Sequence, residues 1–390
     1  MIKFFKYGCI ILLSIYATAC GEEVYENNLS ENIPTYEISP LQATSQSIHD
    51  VVSNYEFISL NIPNDLILEN IRKVIFRDSK IYVLDTNSSG YRAKISVYDS
   101  SGSFQFVIDR SGRGPGEYEL IHDFDLTDNN IVVIANANIL YYDRSSGRHT
   151  NTVENNFDGN RIQWGKFFDN KSGVFAAGRG RANRSKNHLK FFETSSNSIF
   201  HEAVPFGSHS IIIGGSYRFL FETNQGLNAR PVNSNVVYNI QSGQDSITVD
   251  QRYALDFDDL WIPESFLRTS FSNMGQIFDE GLYREYVHTV DLFETKKNLY
   301  ATYTYDEDRF AYIYDKETDR YLNIFKFSEN EISWPMHPLT TYNEWIVGAI
   351  YPFEIEAKDS QIDPALQEEI EKINSDGDPI LVLVNFNLNY

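Results

Sequence analysis

The sequence predicts an all-β protein with the architecture of a six-bladed β-propeller. Three observations support this fold class: a turn motif recurs at nearly regular spacing, apolar and polar residues alternate beside each turn, and aromatic residues make up 14% of the chain. The chain has 390 residues, a length at which all-β folds often form one domain rather than two.

The recurring motif is an aromatic residue, then a polar or acidic residue, then a turn. The clearest copies are centred on Asp99 and Asp143, and looser copies are centred on Glu193, Asn239 and Asp315. Successive spacings are 44, 50, 46 and 76 residues. The first three match a propeller blade of about 40–50 residues, and the last matches one blade plus an insertion.

Each motif copy is predicted to join two strands of a blade, because Asp, Ser and Gly form turns through local hydrogen bonds and positive φ. Five blades are predicted at residues 68–111, 118–157, 161–206, 209–257 and 287–328. The sixth combines residues 333–357 with the strong strands 55–62 and 379–388. Pairing these terminal strands would close the ring without a free sheet edge. Residues 263–286 lack strict alternation and are predicted to be a helical or irregular insertion, and residues 363–375 are predicted to form a short amphipathic helix.

The N-terminus carries the features of a targeting segment at residues 1–19. Lys3 and Lys6 precede an apolar run at residues 8–16, which is shorter than a bilayer span. Small residues then lead to Cys20, an order that resembles a bacterial lipoprotein signal with Cys20 as the acylated first residue of the mature chain. The alternative is an ordinary secretory signal that is cleaved just before this cysteine.

Residues 20–50 are polar and are predicted to be a flexible tether to a propeller body at residues 51–390. The acidic pair Glu22-Glu23 resembles the surface-export signal of Bacteroidetes lipoproteins. We therefore expect an outer-membrane lipoprotein at the cell surface, with a periplasm-facing location as the alternative. The partner at this end of the chain would be the lipid bilayer.

Charge and cysteine content exclude several classes of protein. The chain has 54 acidic and 33 basic residues and a net charge of −21, which argues against a general nucleic-acid partner. Its two cysteines cannot form a disulfide scaffold or a cysteine zinc cluster. Cys9 is lost with the signal and Cys20 is acylated, so no thiol chemistry is predicted.

Residues 110–118, with the sequence RSGRGPGEY, resemble the signature of a Bacteroidetes family of six-bladed propeller lipoproteins. Supporting matches are Ile81–Asp85, Val237-Tyr238 and Leu255–Phe257, and the resemblance covers about residues 50–390. The family is similar to NHL-type propellers. The resemblance implies the fold and no established reaction, so no catalytic residue is assigned.

Two arginine-containing segments are candidate anion sites. In the GRGPGEY loop, Arg110, Arg113 and Glu117 surround a glycine-rich backbone whose N–H groups could hold a carboxylate or sulfate. The alternative is a crossover between blades that pairs its charges internally. Arg179 and Arg181 belong to a basic cluster suited to a sulfated or uronic polysaccharide, and the alternative is a solvated hairpin turn.

Histidines and tryptophans are candidates for the central channel. His122, His288 and His337 lie at or near the start of predicted innermost strands, where they could converge on a ligand or a metal. No cofactor is predicted, and calcium or another divalent metal in the channel is an alternative. Trp164 and Trp334 could stack on sugar rings, or could pack between blades.

These features together predict a binding protein that presents its loops to a glycan, a peptide or a membrane protein. One alternative is an enzyme, a metal-dependent lyase or a hydrolase that acts in the central channel. Another alternative is a structural subunit of an outer-membrane complex.

Overall fold

The computed structural model describes residues 33–63, 66–87, 92–176, 187–205, 218–243, 246–268, 279–327, 337–351 and 379–388. Within these ranges the chain forms six separate sheets, each with four antiparallel strands in a meander, and two of the sheets carry a fifth strand. The predicted all-β, six-bladed propeller is therefore confirmed.

The strands follow the predicted blade ranges. Before the first blade lie β1 (Thr35–Glu37), β2 (Thr44–Gln46) and β3 (Val52–Ser59). Blade one contains β4 (Asn70–Arg77), β5 (Lys80–Thr86), β6 (Ala93–Asp99) and β7 (Phe104–Ile108). Blade two contains β8 (Ile121–Leu126), β9 (Asn130–Ala135), β10 (Asn138–Asp143) and β11 (His149–Glu154). Blade three contains β12 (Gly165–Phe167), β13 (Ser172–Ala176), β14 (Asn187–Glu193) and β15 (Ser198–Pro205).

The second half of the ring repeats this order. Blade four contains β16 (Leu220–Thr223), β17 (Gly226–Ala229), β18 (Val236–Ser242) and β19 (Ile247–Asp256). Blade five contains β20 (His288–Glu294), β21 (Asn298–Tyr305), β22 (Asp308–Asp315) and β23 (Arg320–Phe327). Blade six contains β24 (Thr340–Tyr342), β25 (Trp345–Ile350), β26 (Ile380–Phe386) and the N-terminal β3.

Blade six closes the ring in the predicted way. Strand β26 lies between β25 and β3, with Val382 opposite Gly348 on one side and Phe57 on the other. Its two faces contribute to different hydrophobic clusters: Val382 packs toward blade five, and Leu383 packs toward blade one. The end of the chain is thus held by both neighbouring blades and by the start of the propeller.

The hydrophobic core is distributed around the ring. Six clusters of buried side chains each join two neighbouring blades, for example Tyr82 and Ile95 of blade one with Phe124 and Tyr142 of blade two. The largest fully buried side chains are all tyrosine or phenylalanine. The aromatic surplus of the sequence therefore fills the spaces between blades.

The recurring aspartate closes its turn through its own side chain. Asp143 Oδ1 accepts hydrogen bonds from the N–H and hydroxyl groups of Ser145 and Ser146, and these bonds lower the pKa of Asp143 to about 2. In blade one, Gly102 has a φ of +86°, and a Cβ there would lie 2.0 Å from the Ser59 carbonyl oxygen of β3. Glycine is thus required where this outer turn contacts blade six.

The N-terminal segment differs from its prediction. Residues 20–50 were expected to be a flexible tether, but β1 pairs in parallel with β19 and β2 pairs in parallel with β23. The Tyr36 ring lies 5.2 Å from that of Tyr253 and 4.8 Å from that of Tyr314. Two three-residue strands carry too little alternation to be recognised, yet they satisfy the open outer edges of two blades. Residues 20–32 lie outside the described residues.

Short helices occupy connections between strands. They are α1 (Ile48–Val51), α2 (Glu264–Arg268) and the 3₁₀ turns Pro40–Gln42, Asp258–Leu260 and Leu282–Glu285. The insertion predicted at 263–286 contains α2 and the last of these turns, whereas the helix predicted at 363–375 lies outside the described residues. In the described part of the chain, none of the helices has the length and apolar character that crossing a membrane requires.

Ring closure predicts the result of a terminal deletion. Removing residues 380–390 takes β26 out of the middle of blade six, so we expect the cooperative thermal transition to be lost in calorimetry. The matched control removes residues 33–47, which takes away only the edge strands β1 and β2, and it should melt at a lower temperature but still cooperatively. A 380–390 deletion that melts as sharply as the parent protein would refute closure by this pairing.

Candidate functional site

A cavity of about 540 Å³ lies on the axis of the ring and receives side chains from all six blades. The first strand of each blade faces it, as expected for a propeller channel. Representative lining residues, one from each blade in order, are Lys73, Asp123, Lys166, Glu222, Asp291 and Thr340. Its volume falls within the roughly 300–1,000 Å³ that is typical of small-molecule sites.

The functional side chains are concentrated at one end of this channel. The first strands all run in the same direction along the axis, so residues at or just before their starts share one end. We call these residues the channel mouth: Arg72, His122, Trp164, Arg218, Arg309 and His337. Arg309 belongs to this end because it is the second residue of β22 and lies opposite Thr304, which in turn lies opposite His288 at the start of β20.

Three of the first strands are bulged at the channel mouth. The register shifts between Ile71 and Lys73 in β4, between Ile121 and Asp123 in β8, and between His288 and Asp291 in β20. Bulges re-aim side chains and are over-represented next to active sites. Here the bulged residues that line the cavity are Arg72, His122 and Thr289. Thr289 has a φ of +51°, which is a strained conformation for a β-branched residue.

Ion pairs across the channel join neighbouring blades. Lys73 Nζ of blade one lies 2.7 Å from Asp123 Oδ1 of blade two. Lys166 Nζ of blade three lies 3.0 Å from Asp125 Oδ1 of blade two and 3.2 Å from Glu222 Oε1 of blade four. Burial acts to lower the pKa of Lys166, but Asp125 and Glu222 outweigh it and raise this pKa. The lysine therefore stays charged inside the ring.

Arg218 and Arg309 are held in place by different groups. Arg218 Nη1 donates a hydrogen bond to the Pro338 carbonyl at 2.8 Å, and its guanidinium lies 4.8 Å from the centre of the Phe293 ring. Arg309 Nη2 lies 3.1 Å from Asp291 Oδ2 and donates a hydrogen bond to Thr302 Oγ1 at 2.7 Å. Both guanidinium groups are therefore oriented before a ligand binds.

The negative charge of Glu294 is paired with two cationic side chains that do not line the channel. Arg252 Nη2 and Nη1 donate to Glu294 Oε1 and Oε2 at 2.6 and 2.7 Å, and Lys316 Nζ donates to Oε1 at 2.6 Å. This glutamate is 3% exposed, so the two cations are what permit its burial. Glu294 is thus committed to the structure of blades four and five.

Two of the three predicted histidines line the channel. Burial lowers the pKa of His122, and the positive charge of Arg72 lowers it further. A hydrogen bond with Asn136 has the opposite effect but is outweighed. Burial also lowers the pKa of His337, and Arg309 adds to this effect. Both imidazoles are therefore neutral at pH 7, and the arginines carry the positive charge of the channel mouth.

His288 does not join the other two histidines. Its Nδ1 lies 3.1 Å from the Tyr286 carbonyl oxygen and its ring packs on Tyr283 with 5.2 Å between ring centres. The bulge that follows His288 changes the phase of β20, so that Thr289 and Asp291 line the channel instead. Within the described ranges, no three His, Cys, Asp or Glu side chains are grouped closely enough to hold a metal ion.

The GRGPGEY loop lies between blades one and two, outside the lining of the channel. The Gly112 N–H donates to the Tyr118 carbonyl at 3.0 Å, and the Gly114 N–H donates to Glu117 Oε2 at 2.7 Å. Arg113 forms an exposed ion pair with Glu119, and the Arg110 N–H donates to the Tyr118 hydroxyl. The carboxylate of the loop itself therefore occupies the position that an external anion would take.

The remaining candidates have mixed outcomes. Trp164 lines the channel and contacts Phe219 edge to face, with 5.6 Å between ring centres. Cys20, Arg179, Arg181 and Trp334 lie outside the described residues.

Sequence reasoning missed most of the charged lining, including Arg72, Lys166, Arg218 and Arg309. Part of this lining could have been predicted from the sequence. The segments Ile71-Arg72-Lys73 and Ile121-His122-Asp123 occupy equivalent positions in the first strands of blades one and two. Opposite charges at the third position of these segments predict the Lys73–Asp123 ion pair. Lys166 and Arg218 precede or begin strands of three or four residues and lack such a pattern.

One solved structure supports the fold, and none of the comparisons gives a reaction. The family model described as "Domain of unknown function (DUF4934)" matches residues 35–385. The crystal structure of a "putative exported protein" from Bacteroides fragilis is similar, with a TM-score of 0.75 and 16% identity over 90% of this chain and 99% of that chain. The WD40 domain of Pan2 from Neurospora crassa is 7% identical, with a TM-score of 0.38 over 88% of this chain and 98% of that chain. No curated protein matches the chain.

The contact between Arg72 and His122 predicts a measurable change in pKa. Replacing Arg72 with Met removes a nearby positive charge, so the pKa of His122 should rise toward its ordinary value of 6.5. A histidine-resolved NMR titration would measure it, and His288, whose pKa Arg72 does not influence, is the internal control.

The same substitution has a consequence for stability. The pKa of His122 is lower in the folded protein than in the unfolded chain, so the unfolded chain binds the proton more readily. The free energy of unfolding is therefore highest above about pH 6.5 and decreases as pH falls through the folded pKa of His122. The Arg72→Met variant should lose less stability than the parent protein over this range in urea unfolding. An unchanged His122 pKa in the variant would show that the two side chains are not coupled.

Proposed function

The chain belongs to the family described as a domain of unknown function (DUF4934), and we propose that this member is an extracytoplasmic binding protein whose ligand enters the central channel. The main observation in support of this proposal is the cavity of about 540 Å³, which is lined by charged, polar and aromatic side chains from the six blades. Concave sites of this size with a few oriented polar groups are the usual form of small-molecule sites.

Preorganisation supports binding as the role of this cavity. The ion pairs of Lys73 and Lys166 tie the lining of neighbouring blades together, and Arg218 is held by a carbonyl and an aromatic ring. The six clusters between blades surround this lining with close-packed side chains. A rigid site loses little conformational entropy when a ligand binds.

The proposed location is the outer membrane, with Cys20 acylated and the propeller at the cell surface. The order of charged, apolar and small residues before Cys20 supports a lipoprotein signal, and Glu22-Glu23 supports surface export. The similar Bacteroides protein is named as exported, which agrees with an extracytoplasmic location. A periplasm-facing anchor is the alternative. Proposed partners are the lipid bilayer and a glycan, peptide or outer-membrane protein.

Catalysis in the channel is the second candidate function, and one observation favours it. His122 and His337 have lowered pKa values beside cations in a cleft, which is how histidine bases are often prepared. The carboxylates nearest to them are already engaged, however, since Asp123 pairs with Lys73 and Asp291 pairs with Arg309. The geometry therefore supports binding better than proton transfer.

Replacing Trp164 with Ala tests the proposed binding site. We expect binding to a panel of bacterial surface glycans and peptides to fall about two- to tenfold, because the contact of a ligand ring with an aromatic side chain contributes on the order of 0.5–1.5 kcal/mol. The matched control is Arg113→Ala, whose side chain is 85% exposed outside the channel. An equal loss of binding affinity in both variants would argue against the channel as the binding site. Shortened glycan products, detected by mass spectrometry after incubation with the protein, would favour the alternative that the protein is an enzyme.

Replacing Cys20 with Ala tests the anchor. Without the acylated cysteine, the mature chain has no covalent lipid, so we expect the protein to leave the membrane fraction and to lose incorporation of labelled palmitate. Cys9→Ala is the matched control, because Cys9 belongs to the removed signal and this variant should stay membrane-bound. A Cys20→Ala protein that remains in the membrane fraction would contradict lipidation.

A further inference from the structure

We infer that the channel mouth binds the carboxylate or sulfate group of an acidic saccharide, with the guanidinium groups of Arg72 and Arg218 as the main contacts. This inference rests on the proposed function and names the ligand class for the same site. No comparison assigns a ligand to this cavity.

The charge of the lining is opposite in sign to that of the whole chain. The protein carries a net charge of −21, yet the described lining contains five Lys or Arg side chains and four Asp or Glu side chains. Behind this lining, Arg252 and Lys316 pair with Glu294, and Asp125 pairs with Lys166, so these three residues add two positive charges and one negative charge. The described part of the channel therefore offers an excess of positive charge in a strongly acidic protein.

Strand bulges add a second, independent observation. Arg72 and His122 are the residues at which the registers of β4 and β8 shift, and both side chains line the cavity. The equivalent bulge in β20 leaves Thr289 in a strained conformation beside the same cavity. Strain of this kind persists where the surrounding structure enforces it and is concentrated at ligand sites.

The available groups match a carboxylate or sulfate better than other ligands. A guanidinium presents planar N–H groups that bond two oxygens of a carboxylate or sulfate at once. Arg218 is already oriented by the Pro338 carbonyl and the Phe293 ring. Trp164 supplies an indole ring at the same end of the channel. Arg72 of blade one, Arg218 of blade four and the Trp164 indole of blade three line one cavity, and a charged sugar has an anionic substituent for the guanidinium groups and an apolar ring face for the indole.

The histidines report on the same site. Burial lowers the pKa values of His122 and His337, and the positive charges of Arg72 and Arg309 lower them further, so the negative charge of an anion bound in the channel mouth should raise both values. Binding would then take up protons, and affinity for the anion should increase as pH falls below about 6.5.

The test compares three oligosaccharide probes by calorimetry on the full mature chain. Oligogalacturonate carries carboxylates, its methyl ester is the same sugar without the charge, and a sulfated galactan carries sulfate alone. We expect the carboxylate and sulfate probes to bind at least about tenfold more tightly than the ester, with affinity falling as salt rises. Arg72→Gln and Arg218→Gln should each weaken binding of the acid about tenfold, while the exposed control Arg113→Gln leaves it unchanged.

Inorganic sulfate provides a test that does not depend on the sugar. Titrating sulfate should raise the NMR pKa values of His122 and His337 in the parent protein, and it should have a smaller effect on His122 in Arg72→Gln. Unmoved histidine values together with equal binding of the ester and the acid would overturn the inference. If the ester binds and Trp164→Ala abolishes that binding, the proposed channel site stands and only the acidic ligand class fails.

Discussion

The ring depends on one pairing, in which β26 from the end of the chain lies between β25 and the N-terminal β3. Without this strand, blade six would consist of two edge fragments, and both blade five and blade one would expose an apolar face. Closure also removes the free sheet edges that an open array would present. Every other feature of the molecule follows from six blades being held at fixed angles around one axis.

The channel is a consequence of that closure. Because the hydrophobic clusters lie between blades, the axis itself is left for polar and charged side chains. The ion pairs of Lys73 and Lys166 then serve two purposes, since they join neighbouring blades and keep charges buried near the axis with partners. Arg218 differs from these lysines because a carbonyl and an aromatic ring orient its guanidinium at the channel mouth.

The sequence was sufficient for the fold because blade structure repeats and the turn aspartates are visible. The glycine of the first turn is required by packing, since a Cβ on Gly102 would lie 2.0 Å from the Ser59 carbonyl oxygen. The site was less predictable, since His122 and His288 occupy similar positions in sequence but different environments in space. A bulge in β20 changes which of its side chains face the channel, and the local sequence contains no pattern that predicts this bulge. The edge strands β1 and β2 were missed because three residues hold too little alternation.

An overall charge of −21 does not exclude an anionic ligand, because the effect of each charge depends on its distance from the ligand and on the local dielectric constant. At physiological salt, charges on the outer surface are screened beyond about 8 Å, whereas charges inside a narrow channel with low-dielectric walls are screened much less. An acidic chain would therefore be repelled by much of the acidic exterior and attracted where Arg72, Arg218 and Arg309 line the axis. The acidic exterior then contributes to specificity, because it disfavours contacts of an acidic chain outside the channel.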